Sequence, residues 1–444
     1  MSRTAAIETL GCKVNTYESE LIGESLRSRG WQLLKDSDAP ADLYVVNTCT
    51  VTREADRQAR QLVRRLIRRN PDALVVVTGC YAQMDGEACA RIPGVDLVLG
   101  NDRKLDLAGY LPELEQGRLP RIMVGDLNEH VSLPEQILSG FEERSRAFIQ
   151  VQQGCNQGCM FCIIHRARGP SRSLPATLVR RQVERLVING YREIVVCGVD
   201  LGAWGEDLAA AGHGSQPGLP MLLESIAAVE GDYRIRLSSI DPAHIDDRLI
   251  ELLATHPRLC PHLHLSLQSG NSRVLKRMRR RYTADHVYER VGRLREAIPE
   301  LVLSADVMVG YPTETESQYL DTESMIEALE IVYPHVFPYS ERDGTPAARI
   351  PPDRQVPMAE RKDRAARLRA AGSRVRQQVL QGRVGRRVRA LVEGGGADGG
   401  GPWRARGADY LPISLGGNGL EAGEFVDAVI EGVERERLVA RAAA

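Results

Sequence analysis

Three cysteines lie close together in the middle of the chain, in the run CNQGCMFC at residues 155–162. Their spacing is Cys-x3-Cys-x2-Cys, and a predicted strand ends just before the first of them. Thiolates on one tight loop can bind three irons of a [4Fe–4S] cluster, whereas a ferredoxin site supplies a fourth thiolate. Because the next cysteine is Cys197, the run leaves one iron open to a small-molecule chelate.

S-adenosylmethionine is a chelate of this kind, through its amino and carboxylate groups. An electron that enters its sulfonium releases a radical, and the cofactor itself performs that chemistry. Phe161, just before the last cysteine of the run, suits such a loop because the adenine must pack nearby. The alternatives are a zinc site with His165 as a fourth ligand and chance placement of the cysteines. The residues favour the iron–sulfur cluster.

Three further cysteines are widely spaced in the first third of the chain: Cys12 in TLGCKVN, Cys49 in VNTCTV and Cys80 in VTGCYAQ. Each follows a predicted strand. The carboxyl ends of parallel strands gather at one edge of a sheet, so these thiols could meet and hold a second cluster with an open iron. Position alone favours the alternative of three small buried residues. We interpret the remaining cysteines as structural: Cys89, Cys197 and Cys260.

The elements around these cysteines alternate between strands and helices. In the first third, β-branched runs at 43–47 and 74–78 flank an amphipathic helix at Arg53–Arg69, and this spacing predicts a parallel sheet. From residue 147 onward, six strand–helix units fit an open or partial barrel, in which chemistry sits at the carboxyl ends of the strands. The predicted strands are 147–152, 193–197, 233–238, 262–267, 302–309 and 331–339, and the predicted helices lie near 176–189, 219–229, 246–255, 283–297 and 315–329.

The end of the chain has a different character. Residues 361–380 predict an Arg-rich helical connector, and GGGADGGG at 394–401 predicts a flexible hairpin or insertion. The terminal runs fit a small β-barrel of OB-like size. Its predicted strands are 387–392, 408–414 and 424–433.

The composition sets outer bounds on function. The chain has 444 residues, 43% of them hydrophobic, and a formal net charge of −1, which excludes a basic nucleic-acid coat and a supercharged surface. No apolar run approaches the roughly 20 residues of a membrane span, and the first residues lack the apolar core of a signal peptide. We therefore expect a cytoplasmic protein with no membrane contact and with reduced cysteines.

Seven motifs, in order over residues 4 to about 350, resemble the methylthiotransferases of the radical-SAM superfamily: GCKVNTYESE, VNTCTVTREAD, GCNQGCMFCIIHRARG, SSIDP, LSLQSG, DVMVGYPTETE and PYSERDGTPAA. The tail more loosely resembles the TRAM RNA-binding domain. Within the family, GCKVNTYESE with CIIHRARG most resembles the enzymes that act on threonylcarbamoyladenosine in tRNA.

The resemblance implies an α/β fold: an N-terminal parallel-sheet domain, a central partial (β/α)6 radical-SAM barrel and a small C-terminal TRAM-like β-barrel. It also implies two [4Fe–4S] clusters and S-adenosylmethionine. Cys12, Cys49 and Cys80 would hold an auxiliary cluster, and Cys155, Cys159 and Cys162 the radical-SAM cluster. The implied domains are 1–115, a linker at 116–140, 141–371 and 374–441.

The implied reaction inserts sulfur and methyl at C2 of the modified adenosine next to the anticodon. The nearest alternative is the same chemistry on isopentenyladenosine in tRNA or on a ribosomal-protein aspartate. A rival of another class is a non-enzymatic, zinc-containing RNA-binding protein. A third is a radical-SAM enzyme whose N-terminal cysteines are structural.

Polar groups on the predicted barrel strands complete the expected cofactor site. Gly198 follows a strand, where a missing side chain lets the methionyl part of the cofactor approach, and Ser238 and Ser239 could bond the ribose. Gln268 and Asp306 belong to later strands. The alternative for each is ordinary barrel lining. Three residues depart from the family pattern and concern loop geometry and substrate fit: His165, Ser266 and Thr313.

The expected partners are tRNA, an electron donor such as flavodoxin or ferredoxin, and a sulfur source. Three Arg-rich stretches, Arg53–Arg69, 276–281 and 349–389, could bind tRNA phosphates. The target base must leave its stack to reach a radical deep in a barrel, and Trp403 and Tyr410 could stack bases. The alternative for each Arg run is a solvated helix face.

Overall fold

The computed structural model describes residues 3–34, 39–129, 133, 135–141, 145–210, 218–395, 401–417 and 419–443. The chain forms two compact units, each built from separate pieces of sequence. The first comprises Met1–Leu138, Gln152–Leu174 and Ser340–Ala348, and the second comprises Ser139–Val151, Pro175–Tyr339 and Arg349–Ala444. None of the helices within the described ranges has the length and apolar character of a membrane span.

The first unit is built on a six-stranded parallel sheet in the order β2-β1-β3-β4-β5-β6, with a two-residue antiparallel ladder of β8 and β9. Its strands are β1 (Thr4–Thr9), β2 (Gln32–Leu33), β3 (Leu43–Thr48), β4 (Leu74–Gly79), β5 (Leu97–Leu99), β6 (Ile122–Met123), β8 (Gln152–Gln153) and β9 (Arg172–Ser173). Its helices are α1 (Lys13–Ser28), α2 (Arg53–Arg69), α3 (Cys80–Met84), α4 (Gly86–Ala90), α5 (Leu107–Glu115) and α6 (Ile164–Arg168).

Local sequence explains these elements. Strand β3 is buried along its whole length, as a central strand of a parallel sheet must be when helices cover both faces. Helix α2 begins after Thr52, whose side chain accepts a hydrogen bond from the Ala55 amide at 3.1 Å, the usual contact at a helix start. Its apolar stripe packs into the core through Leu62 and Leu66. The predicted bounds of this helix match the observed ones.

Within the described residues, the second unit contains seven parallel strands, in two hydrogen-bonded groups, and a terminal closed barrel. Its strands are β7 (Arg146–Gln150), β10 (Glu193–Cys197), β11 (Arg234–Leu237), β12 (Ser239–Ile240), β13 (His262–Gln268), β14 (Val302–Val309), β15 (Ile331–Pro338), β16 (Arg387–Gly394), β17 (Trp403–Arg406), β18 (Pro412–Gly416), β19 (Phe425–Glu434) and β20 (Arg437–Ala442). Its helices are α7 (Ala176–Ile188), α8 (Glu206–Ala210), α9 (Leu219–Ala227), α10 (Asp247–Thr255), α11 (Ser272–Arg277), α12 (Ala284–Ala297), α13 (Glu316–Ala328) and α14 (Met358–Gln381).

The partial barrel follows the predicted pattern. Strands β7, β10 and β11 form one group and β12 to β15 the other, and Ser238 alone separates β11 from β12. The six units therefore form a parallel (β/α)6 arrangement. Predicted strands at 193–197 and 302–309 have the observed bounds. The α/β fold with a small terminal barrel is confirmed.

The terminal barrel closes in the order β16-β17-β18-β20-β19. The predicted strand at 408–414 was wrong in its first half, because the chain turns before Pro412 and Tyr410 adopts a left-handed backbone with φ 73°. Strand β17 was not predicted. Most of the GGGADGGG run lies outside the described residues, as does Pro134 in the predicted linker. The predicted domain bounds stay predictions.

Candidate functional site

Three neighbouring parallel strands of the first unit lead into the three dispersed cysteines. Strands β1, β3 and β4 are adjacent in the sheet. Cys49 and Cys80 come directly after β3 and β4, and Cys12 lies three residues after β1. Because parallel strands end at the same edge, cysteines far apart in sequence reach one edge of one sheet.

The thiols at this edge lie close enough for their charges to interact. Cys12 is exposed, Cys49 half-buried and Cys80 buried. Burial raises the pKa of Cys49 to about 12, and the neighbouring thiols of Cys80 and Cys12 act in the same direction. Gly11 permits the approach: its φ is +106°, and a Cβ atom there would lie 2.8 Å from the Cβ of Cys49. This position requires glycine.

A buried guanidinium contacts this group of thiols. Arg168, the last residue of α6, is 1% exposed, and its Nε donates to the Sγ of Cys80 at 3.1 Å. Its Nη atoms donate to both carboxylate oxygens of Glu18, one of them at 3.0 Å, and to Oδ1 of Asn15. Lys104, also 1% exposed, donates to the second oxygen of Glu18. Burial alone would raise the pKa of Glu18, but Arg168 and Lys104 lower it.

Asn101 links this group to the loop that carries Arg168. Its Nδ2 donates to the carbonyl of Ala167 at 2.6 Å and lies 3.9 Å from the Sγ of Cys80. Its Oδ1 accepts from Nζ of Lys104 at 2.8 Å. The end of the cysteine-rich loop is thereby held against the sheet edge within the first unit.

The loop at 155–162 also belongs to the first unit. Strands β8 and β9 close its base, and Gly154 at φ +76° has no room for a Cβ, which would lie 1.9 Å from the carbonyl oxygen of Pro170. Cys159 is buried, while Cys155 and Cys162 are half-buried. Phe161 is half-buried in the same loop.

The donors around these sulfurs fit an iron–sulfur cluster. The amide of Gln157 lies 3.4 Å from the Sγ of Cys155, and the amide of Ile164 lies 3.4 Å from the Sγ of Cys162. Hydrogen bonds to ligand sulfurs are among the features that tune iron–sulfur centres. Among the described residues, no group of His, Cys, Asp or Glu converges to hold a single metal ion. A cluster makes a different demand, since each thiolate binds a separate iron.

The other predicted cofactor residues lie in the second unit. Gly198 directly follows β10, Ser238 lies between β11 and β12, Ser239 opens β12 and Gln268 ends β13. Asp306 lies inside β14, the strand predicted at 302–309. Gln268 follows a break in the β13–β14 register and has φ 63°, a strained conformation of the kind found at functional sites.

Ser238 has the strongest independent signal of a ligand site among these residues. It is 6% exposed, and its Oγ is buried without a hydrogen-bond partner among the described residues. Buried hydroxyls are normally hydrogen-bonded. An orphaned hydroxyl at the end of a barrel strand fits the predicted bond to a cofactor ribose.

Two histidines near Asp306 were missed at the sequence level. His264 Nε2 lies 3.1 Å from Oδ1 of Asp306, and the rings of His264 and His335 are 5.0 Å apart. His264 shares the partly exposed face of β13 with Ser266 and Gln268, while the alternate leucines are fully buried. The alternation in HLHLSLQ could have indicated this face.

The structure changes the interpretation of Tyr410, one of the two aromatic residues predicted to stack on RNA bases. The ring of Tyr410 is stacked on His262 at 4.6 Å and covered by the guanidiniums of Arg406 and Arg236 at 4.4 and 5.0 Å, so we do not expect it to receive a base. Trp403 is half-buried in β17.

Several arginines of residues 349–389 form hydrogen bonds or ion pairs within the second unit. Arg361 and Arg364 are buried and bonded within the second unit, and Arg367 pairs with Glu316 at 2.7 Å. On α2, by contrast, five arginines are exposed: Arg53, Arg57, Arg64, Arg65 and Arg68. The stretches at 276–281 and 349–389 also retain exposed basic residues, among them Arg279 and Arg387.

Family models match two parts of the chain. Residues 4–100 match a family described as uncharacterized, UPF0004, and residues 149–326 match the radical SAM superfamily. The threonylcarbamoyladenosine tRNA methylthiotransferase MtaB of Rickettsia prowazekii is 40% identical over 96% of this chain and 95% of its own length. The protein of the same name in Bacillus subtilis is 40% identical over 84% of this chain and 81% of its length.

A more distant relative and a solved structure are also similar to this chain. A tRNA-2-methylthio-N(6)-dimethylallyladenosine synthase of Ruegeria pomeroyi is 35% identical over 94% of each chain. The radical S-adenosylmethionine methyltransferase TsrM of Kitasatospora setae has a TM-score of 0.57 at 16% identity, with 78% of this chain and 77% of that chain covered. At that identity the likeness shows the fold alone.

Proposed function

The chain belongs to the radical-SAM methylthiotransferase family, of the MtaB type, and we propose that it converts N6-threonylcarbamoyladenosine at position 37 of tRNA, next to the anticodon, to the 2-methylthio derivative. The observation that carries the proposal is that six cysteines, three at one sheet edge and three on one loop, lie in a single compact unit. Sulfur insertion by this family would need both sets.

We assign the two sets to two clusters. Cys155, Cys159 and Cys162 would hold the radical-SAM cluster, and Cys12, Cys49 and Cys80 the auxiliary cluster. The family implies S-adenosylmethionine and a [4Fe–4S] cluster, which when bound supply the one-electron chemistry that generates a radical.

The residues of the chain would hold, orient and shield these groups. The amides of Gln157 and Ile164 donate to the Sγ atoms of Cys155 and Cys162, and Phe161 would offer an apolar surface for adenine. Ser238, with its orphaned Oγ, would accept or donate at the ribose, with Ser239 beside it. Gly198, Gln268 and Asp306 complete the proposed cofactor contacts.

The threonylcarbamoyl nucleoside is supported by the names of the relatives at 40% identity. The dimethylallyl type is less favoured, since its relative is 35% identical. Exposed arginines on α2 would bind tRNA phosphates. An external electron donor, such as flavodoxin or ferredoxin, and a sulfur source complete the proposed partners.

Nucleoside profiling of tRNA tests the substrate. Mass spectrometry of tRNA from a strain that lacks the gene should show loss of the 2-methylthio form of threonylcarbamoyladenosine and accumulation of its precursor. A plasmid copy should restore the modification, and a copy with Cys155→Ala should not. Unchanged 2-methylthio-threonylcarbamoyladenosine in the deletion strain would refute the proposal.

Iron counting tests the cluster assignment. After anaerobic reconstitution, the chain should hold about eight irons, and a variant with Cys12→Ala, Cys49→Ala and Cys80→Ala about four. Cys89→Ala with Cys260→Ala is the matched control, because both cysteines are buried and neither is assigned to a cluster; it should keep about eight irons. About four irons in the wild type and in both variants would contradict the assignment of an auxiliary cluster.

A further inference from the structure

The charges buried beside Cys80 do not balance. Arg168 and Lys104 are each 1% exposed, and Glu18 is the one carboxylate that the described residues place within hydrogen-bond distance of them. Two cations thus share one anion. A buried charge without compensation is strongly unfavourable, so this pocket needs one more negative charge.

The missing charge has a defined place. The Nε of Arg168 points at the Sγ of Cys80 at 3.1 Å, and the side chain of Asn101 approaches the same sulfur at 3.9 Å. A [4Fe–4S] core in its oxidised 2+ state, held by three thiolates, carries one net negative charge. Such a cluster at Cys12, Cys49 and Cys80 would make the pocket neutral.

We propose that Arg168 is a positioning residue for the auxiliary cluster: its guanidinium holds the thiolate of Cys80 by a charge-assisted N–H···S bond and offsets the negative charge of the cluster. This inference rests on the auxiliary cluster of the proposed function. Glu18 and Asn15 fix the orientation of the guanidinium through its Nη atoms, which leaves Nε directed at the sulfur.

The arrangement has a consequence for reduction. The reduced cluster carries one more negative charge than the oxidised cluster, so a buried cation beside it favours the reduced state and raises the midpoint potential. A buried carboxylate has the opposite effect. Arg168 and Glu18 are in direct contact, yet their removal should shift the potential in opposite directions.

The test uses the full-length chain with Cys155→Ala, Cys159→Ala and Cys162→Ala, so that any remaining cluster is the auxiliary one. Iron content is measured first and should be about four per chain. The midpoint potential is then measured by redox titration, with electron paramagnetic resonance as the readout. In this background, Arg168→Met should shift the potential to more negative values and Glu18→Gln to more positive values.

Two further variants keep the test decisive. Arg168→Lys retains the positive charge but lacks the several N–H donors of the planar guanidinium. Its shift in potential should have the same sign as that of Arg168→Met and a smaller size. This variant replaces Arg168→Met if the latter does not fold. Arg60→Met is the control, because Arg60 is only half-buried and donates to the hydroxyl of Tyr81, next to Cys80, at 3.0 Å, and among the described residues no thiol accepts a hydrogen bond from it. It should leave the potential unchanged.

The outcomes separate the two proposals. If the variant with Cys155→Ala, Cys159→Ala and Cys162→Ala holds no iron, the chain has no auxiliary cluster, and the proposed function fails with it. Four irons with an unshifted potential in the Arg168 and Glu18 variants would overturn the role of Arg168 and leave the cluster standing. Shifts of the same sign in both variants would also overturn it, because general loosening of the pocket, and not charge, would explain them.

Discussion

Each unit of the molecule buries a glutamate among cations, two around Glu18 and three around Glu193, and the two networks differ in where the remaining donors point. Glu18 lies between Arg168 and Lys104 in the first unit. In the second unit, Glu193 is fully buried and bonded to Arg234 at 2.7 Å and Arg236 at 2.8 Å.

The spare donors of the second network end on main-chain carbonyls. Arg234 donates to Arg406 O at 3.0 Å, and Arg236 donates to Ala408 O at 2.9 Å. Both carbonyls belong to the terminal barrel, so this network fastens the barrel to strands β10 and β11 within the second unit. In the first network the spare donor is directed at a thiol. In a buried ion cluster, the Arg N–H groups that are not bonded to the carboxylate therefore indicate function, and the ion pairs themselves do not.

The largest effect should come from Arg236→Met. Removal of one partner from a buried pair leaves Glu193 partly uncompensated, which typically costs about 3–5 kcal/mol. Denaturant unfolding should show this loss, while iron content after reconstitution stays at the wild-type level. A reduced iron content in the Arg236→Met variant would contradict this difference between the two networks, because the second network would then also support the proposed cluster sites.

Glu193→Gln should have a smaller effect that depends on pH. Burial alone would raise the pKa of Glu193, but Arg236 and Arg234 hold it well below its usual range. Its contribution to stability is therefore complete above the unfolded pKa of about 4.3 and is lost as pH falls below that value. At pH 7 the variant should be less stable by about 1–3 kcal/mol.

Thermal melting between pH 7 and pH 3 measures this difference. The difference in melting temperature between wild type and Glu193→Gln should narrow as the solution becomes more acidic, because the Glu193 carboxyl of the unfolded wild-type chain then binds a proton and the folded one does not, which favours unfolding. A difference in melting temperature that stays constant down to pH 3 would show that the charge of the Glu193 carboxylate does not contribute to stability.

Lys104→Met should cost less, about 1–2 kcal/mol, because Glu18 keeps its bonds to Arg168. The loss of one of two cations should also lower the midpoint potential of the auxiliary cluster in the background without the radical-SAM cysteines. Denaturant unfolding and redox titration of the same protein provide the two readouts. A raised potential would contradict the charge balance proposed for Arg168, Lys104, Glu18 and the auxiliary cluster.

The smallest effect is expected outside both networks, at Thr313. This β-branched residue has φ 67°, a conformation that glycine adopts freely, and the sequence motif resembles a family pattern with glycine there. Thr313→Gly relieves the strain but loses the bond from Arg277 to Oγ1 at 3.0 Å. The net result should be a gain of up to about 1 kcal/mol in unfolding free energy. A loss of stability would show that the bond outweighs the strain.

The sequence predicted the features that are local or periodic. The spacing at 155–162 was readable because all three cysteines lie on one loop, and strands such as Glu193–Cys197 follow their apolar runs. The family resemblance was needed to group Cys12, Cys49 and Cys80, because their meeting depends on which strands are neighbours in the sheet.

Contacts between distant residues could not be predicted in this way. Glu18 and Arg168 are 150 positions apart, and each looks like an ordinary charged residue of an amphipathic helix. The half-correct strand at 408–414 failed for a different reason: Tyr410 turns the chain with φ 73°, and its ring packs against His262. Apolar character alone indicated a strand there.

The first unit draws on three pieces of sequence, and this has a consequence for synthesis. Arg342 donates to Oδ2 of Asp56 at 2.6 Å across 286 positions. Because a ribosome delivers the chain in order, most of the sequence must emerge before Ser340–Ala348 can join the strands made first. We therefore expect iron to be loaded after translation has passed this segment and not onto a nascent N-terminal domain.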